Sequence, residues 1–265
     1  MAASKVAVVT GAAGGIGSNM SKVLISKGYH VVLADIDAEA GAKTQATLGS
    51  SSLFVHCDLA DWSSQAAMFK KAFEWHGRID VCVANAGIDE KERFYNPPDV
   101  DQQPQKPNMK VIDVDLLAVI YGLRLFRYYW RKSGVAGLGK MIITSSMAGI
   151  YAFPAAPVYS AAKHGIVGLV RASSFKLLRS ESITINTICP GPVDTGISEQ
   201  MKKVVPAENF TPMSVVLDAF EKFVEEDVTG QVAEASNKRF YLRQPVEYSD
   251  GNSEFLIEDM KRFLS

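Results

Sequence analysis

The chain has 265 residues, 47% of them hydrophobic and 22% charged, with 28 Lys plus Arg against 29 Asp plus Glu. That apolar share excludes a mainly disordered chain, supplies enough material for a real core, and leaves no room for collagen-like, coiled-coil or low-complexity classes. A net charge of -1 argues against a nucleic-acid-binding surface. Cys57, Cys82 and Cys189 are far apart, each in or beside an apolar run, and no Cys/His spacing predicts a metal site. They read as reduced, buried thiols, which fits a reducing, cytoplasmic compartment. The N-terminal apolar run is too short and glycine-rich for a signal peptide, and no stretch is long enough to span a membrane.

The first apolar run, Val6 to Thr10, reads as a buried strand. It ends in Thr10-Gly11-Ala12-Ala13-Gly14-Gly15-Ile16-Gly17, and helical spacing then runs from Ile16 to Lys27. Glycines let the backbone turn sharply and approach a ligand closely, and the helix start offers free N–H groups and a partial positive charge to an anion. Strand, glycine turn and helix together predict a dinucleotide pyrophosphate site at Gly11, Gly15, Ile16 and Gly17. The second strand, His30 to Asp35, ends in a carboxylate 18 residues after Gly17. Asp35 can accept from both adenosine ribose hydroxyls and would repel a 2′-phosphate, with no Arg or Lys directly beside it; NAD is therefore expected over NADP. The third strand, Leu53 to Asp58, ends where Asp58 and Leu59 can meet the adenine.

A helix over Gln65 to His76 and a strand over Ile79 to Ala84 follow, then Asn85-Ala86-Gly87. The polar, proline-bearing stretch Asp89 to Met109 reads as a long rim or lid loop. A long helix from Pro107 or Asn108 to Lys132 looks apolar almost all round between Val114 and Trp130, which predicts cover on more than one side and hence a second subunit. A strand over Lys140 to Ser145 precedes Ser146, and a helix over Val158 to Arg179 carries small residues between Ala161 and Ala172 that permit close helix approach. A last clear strand covers Ile183 to Ile188, and irregular chain runs from Pro190 to about Met213. Strand–helix alternation predicts one α/β domain over 1–265 with a doubly wound parallel sheet. His30, His56, His76 and His164, and Trp62, Trp75 and Trp130, are expected in structural roles.

Tyr159 and Lys163 stand four apart, on one helix face. A nearby ammonium stabilises a phenolate, so such a pair can exchange a proton with an alcohol or carbonyl. Taken alone the spacing is common. Taken together, TGxxxGxG at Thr10 to Gly17, Asn-Ala-Gly at Asn85 to Gly87, Ser146 thirteen residues before Tyr159, Tyr-x-x-x-Lys, and the Pro190-Gly191 turn with Thr195 resemble the short-chain dehydrogenase/reductase family over about residues 5 to 198. The resemblance implies a Rossmann sheet of about seven strands. It also implies hydride transfer between NAD(H) and a secondary alcohol or ketone, with Ser146, Tyr159 and Lys163 catalytic. Cofactor contacts are implied at Asn85, Ala86, Gly87, Pro190, Gly191, Val193 and Thr195, besides Tyr159 and Lys163 themselves. The core is then 5–198, with a substrate loop and C-terminal segment over 199–265.

Two departures bear on function. Asp115 stands where relatives carry an asparagine that supports a proton relay; aspartate keeps an acceptor and loses the amide donor. The relay is expected to work with Asp115, and imine reduction or cyclisation on the same scaffold is the alternative reading. The C-terminal stretch resembles 15-hydroxyprostaglandin dehydrogenase-like members of the family rather than the Gly-rich ending common in tetramers. A homodimer and a hydrophobic substrate are expected, with a tetramer as the alternative. The pocket is expected at Phe153, Pro154, Ala155, Ala156 and Val193, with Asp89 to Met109 and Ile197 to Phe210 as rim and lid.

Overall fold

The computed structural model describes residues 4–91, 94–97, 99–195 and 201–263. Eight strands form one sheet: β1 (Val6–Thr10), β2 (His30–Asp35), β3 (Ser52–His56), β4 (Val81–Ala84), β5 (Gly139–Thr144), β6 (Ile183–Pro190), β7 (Val232–Ser236) and β8 (Arg239–Leu242). Their order is β3-β2-β1-β4-β5-β6-β7-β8. All pairs are parallel except β7 with β8, which close as a hairpin turning through Asn237 in a left-handed conformation (φ 50°). The sheet therefore has one strand more than the seven that the family resemblance implies; apolar runs marked only β1 to β6, and β8 is short and largely exposed.

The helices are α1 (Gly15–Ser26), α2 (Ala38–Leu48), α3 (Trp62–His76), the single turn α4 (Lys110–Ile112), α5 (Ala118–Ser133), α6 (Pro157–Glu181), α7 (Met213–Glu225) and α8 (Gly251–Phe263). Asp37 and Asp61 cap α2 and α3 by accepting from backbone N–H groups one turn on, and Gly77 ends α3 in the left-handed region. Strand residues alternate between two cores. Val6 and Val8 pack with Phe69, Phe126, Trp130 and Ile166 beneath α3, α5 and α6; Ala7 and Val9 pack with Met20, Leu24, Phe220 and Phe223 beneath α1 and α7. Each such fully buried large side chain contributes roughly 1.5–3 kcal/mol of burial energy.

Three local departures have physical causes. Strand pairing on the fourth strand starts at Val81 rather than Ile79, because the buried Asp80 accepts from Val6 N at 2.8 Å and pairs with Arg78. The long helix starts at Lys110 and passes through a π-helical turn, Asp113–Leu117, before α5. Finally, α5 is not apolar all round. Its inward face buries Val119, Leu123, Phe126 and Trp130, while Arg124 and Tyr128 face solvent and Arg127 pairs with Glu181. Most of its apolar surface is covered within the chain, and a restricted strip remains open.

Candidate active site

The strand order reverses between β1 and β4, and a crevice opens at the carboxyl ends of strands at such a point. The glycine turn after β1 sits there. Gly11 adopts φ 64°, and a Cβ on it would lie 2.8 Å from Ala86 Cα. A Cβ on Gly17 would lie 2.2 Å from the Gly11 carbonyl oxygen, whereas one on Gly14 would meet nothing within 4 Å. The turn is therefore packed tightly against the protein behind it and open in front. α1 has no side-chain cap and no acid in its first turn, so its positive end is left for an anion. Asp35 lies against this turn, accepting from Ala13 N at 2.9 Å and Asp37 N at 3.1 Å. A glycine cradle, an uncapped helix start and a carboxylate beside them fit a dinucleotide with a free ribose 2′-hydroxyl.

Asn85 ties three strand ends together. Its amide donates to Thr10 O at 3.1 Å and Gly11 O at 3.3 Å, and its carbonyl accepts from Thr144 Oγ1 at 3.1 Å. Both Asn85 N and Ala86 N donate to Thr10 Oγ1. With its amide used in this way, Asn85 shapes the crevice from within.

Beyond the crevice, the C-terminal end of β5 and the start of α6 bring the polar groups together. Ser145 is buried and its hydroxyl donates to Lys163 O at 3.0 Å. Ser146 is half-buried, and its oxygen accepts from Ala148 N at 3.1 Å. The Lys163 ammonium lies 5.4 Å from the centre of the Tyr159 ring, 3.0 Å from Asp115 Oδ2 and 3.3 Å from Thr144 O. Burial, the largest single effect, would pull the Lys163 pKa down, but the Asp115 carboxylate and the Tyr159 phenol together outweigh it and raise the pKa. Asp115 is almost fully buried, and its other oxygen accepts from Ile88 N at 2.9 Å. Gly87 admits this pair: a Cβ there would lie 2.9 Å from Asp115 Oδ2 and 3.3 Å from Lys163 Nζ. Burial also pushes the neighbouring Cys189 thiol up to about 11, so it stays protonated and unreactive.

A model of the family described as short chain dehydrogenase matches residues 5–205. The chain belongs to the short-chain dehydrogenase family. Human 15-hydroxyprostaglandin dehydrogenase [NAD(+)] is 36% identical over 205 residues, covering 75% of this chain and 72% of that protein. The short-chain dehydrogenase/reductase prx6 of Penicillium rubens is 31% identical over 258 residues, covering 91% and 86%. Among solved structures, 3-ketoacyl-(acyl-carrier-protein) reductase from Brucella melitensis, complexed with NADH, superimposes with a TM-score of 0.76 at 21% identity, over 89% of this chain and 98% of that one, a likeness of fold.

In this short-chain dehydrogenase the other expected residues are placed unevenly. Asp58 is exposed at the end of β3, accepting from Ala60 N, and Leu59 packs against the core. Gly191 backs onto Thr211 and Met147, and Thr195 lies beside Gly15 across the crevice. Val193, expected to line both cofactor and substrate, is buried in the core beneath α1 and α7. Phe153, Pro154 and Ala155 form an exposed shoulder leading into α6. Of the expected lid, residues 196–200 lie outside the described residues, while Met201–Lys203 and Ala207–Asn209 are short 3-10 turns. His164 is exposed and contacts Ser160 O. Among the described residues no group of three His, Cys, Asp or Glu could hold a metal, and no helix is long and apolar enough to cross a membrane.

One contact had no signal in the sequence. Glu90, in the loop after β4, accepts from Tyr159 N at 2.8 Å across 69 residues of chain. Only the fold brings these two together.

Proposed function

We propose that the protein is an NAD-dependent dehydrogenase that interconverts a hydrophobic secondary alcohol and its ketone, with Tyr159 as general acid/base. The observation that carries this reading is the cluster where the end of β5 meets α6: Lys163 is held between Asp115 and the Thr144 carbonyl, with its ammonium 5.4 Å from the centre of the Tyr159 ring. NAD, when bound, supplies the hydride acceptor for alcohol oxidation. Tyr159 takes the hydroxyl proton. Lys163 stabilises the phenolate and would hold the ribose of bound NAD. Ser146 has its oxygen fixed by Ala148 N, which leaves its O–H to donate to the substrate oxygen and orient it.

The preference for NAD would rest on Asp35, whose carboxylate lies against the glycine turn and would repel a 2′-phosphate brought there. The names of the 15-hydroxyprostaglandin dehydrogenase relatives support both the cofactor and a lipid-like alcohol. The apolar shoulder Phe153 to Ala155 supports the same substrate class. Three buried free cysteines support a reducing compartment such as the cytoplasm. A homodimer built on α5 and α6 completes the reading.

The test is NADH formation, followed by absorbance, with a panel of hydrophobic secondary alcohols. NAD should bind at least tenfold tighter than NADP, a difference of about 1.4 kcal/mol. Tyr159→Phe should lower turnover by roughly 10²-fold or more and leave NAD affinity unchanged. Equal affinity for NADP would remove Asp35 from its role. Retained turnover in Tyr159→Phe would move the scaffold to other chemistry, such as imine reduction or cyclisation.

A further inference from the structure

The start of α6 lacks a cap of its own. Its N-cap position is Ala156, Pro157 occupies the first turn, and no acid lies in that turn. A 25-residue helix beginning this way leaves N–H groups at its positive end without an intrahelical acceptor. Tyr159 N is one of them. Glu90 satisfies it at 2.8 Å and brings a carboxylate to the positive end of the helix. The same short loop is fixed at two further points. Gly87 packs against Asp115 and Lys163, and Ile88 N donates to Asp115 Oδ1. Residues 87–90 therefore touch both members of the Tyr159–Lys163 pair: Lys163 through its counter-ion, Tyr159 through its own backbone.

We infer that Glu90 is a positioning residue for Tyr159, acting as a remote cap that fixes the start of α6 and so the direction from which the phenol meets the substrate. The inference rests on the reading of Tyr159 as general acid/base. It adds a coupling that the family motifs do not contain. Glu90 lies near the start of the polar segment 89–109, so its hydrogen bond to Tyr159 N links that segment to the start of α6. The acceptor is what matters. Glutamine at position 90 retains a carbonyl oxygen at the same reach, whereas alanine retains nothing.

The experiment uses the full chain with selective ¹⁵N-tyrosine labelling. Nine tyrosine amides are present, and the Tyr159 signal is the one missing in Tyr159→Phe. Glu90→Ala should shift the Tyr159 amide and speed its hydrogen exchange at least tenfold. It should lower kcat roughly tenfold and change NAD affinity less than twofold. Glu90→Gln should restore most of the kcat and slow the exchange again. Glu74→Ala, which removes an exposed carboxylate on α3 away from the site, serves as the control and should leave kcat alone. Wild-type kcat with wild-type exchange in Glu90→Ala, alongside an inactive Tyr159→Phe, overturns the inference and leaves the dehydrogenase reading standing. Full activity in Tyr159→Phe instead removes that reading itself. A Glu90→Ala protein whose kcat and NAD affinity fall together, without rescue by glutamine, would make Glu90 a general fold contact and also overturn the inference.

Discussion

At the scale of single residues, Asp115 separates this site from a generic one. Its carboxylate and the Lys163 ammonium are both almost fully buried and 3.0 Å apart. Removing one charge from such a pair normally costs about 3–5 kcal/mol, because the other is left in a poor solvent. In Asp115→Asn the amide oxygen still accepts, so a loss on the order of 2 kcal/mol at neutral pH is expected. The pH dependence follows from the raised Lys163 pKa. A cation raised above its ordinary value of 10.5 contributes stability that is complete below that value and disappears as pH climbs through the folded-state pKa. Wild-type protein should therefore lose its advantage over Asp115→Asn from about pH 10.5 upward, as denaturant midpoints at several pH values will report. In activity, Asp115→Asn should change the pH profile of NADH formation. An unchanged profile would mean that the Asp115 charge is not felt at the reacting oxygen, and its part in the relay would be given up.

At the scale of elements, the sequence was informative wherever local chemistry decides the structure. Continuous runs such as Val6–Thr10 and His30–Asp35 are strands at their expected limits, and the glycine turn and Tyr159/Lys163 spacing lie on the elements expected of them. Legibility ended where distant contacts decide. The π-helical turn that carries Asp115 has no composition signal, and the Glu90 cap joins segments 69 residues apart. The same holds for β8, whose exposed residues gave no strand pattern because its anchoring is polar. Arg243, directly after β8, pairs with the buried Glu234 of β7 and donates to the Tyr151 hydroxyl at 2.8 Å; its carbonyl accepts from Arg171 of α6. This cluster ties the last hairpin to the loop that follows Ser146. Arg243→Met should strand the Glu234 carboxylate and lower Tm by ~3–6 °C. It should also speed amide exchange in Arg239–Leu242 ahead of β1 and β4. An unchanged Tm would show that Tyr151 alone satisfies Glu234.

At the scale of the whole molecule, the question is what covers the outer strip of α5 and α6. Within one chain, α5 already buries its inward face, so the aromatic-rich stretch does not by itself demand a partner. What remains open is Ile120 and Tyr128 on α5, Trp62 edge-on to Tyr121, and Ala161, His164, Gly168, Ala172 and Phe175 along α6. Open apolar residues beside a run of small ones form a surface that a second helix can approach closely, and a Cβ on Gly168 would meet nothing within 4 Å. A two-fold pairing of this strip with itself would bury each exposed ring against the partner's small residues. Sedimentation at micromolar concentration should therefore give a homodimer. Gly168→Arg should shift it to monomer, because a long charged side chain would enter the middle of the contact while α6 itself stays intact at an exposed position. NAD affinity should survive that change, since the glycine turn and Asp35 lie on elements that do not contribute to the strip. A wild-type monomer at that concentration would mean that the exposed rings of α5 and α6 face water and that the site is complete within one chain.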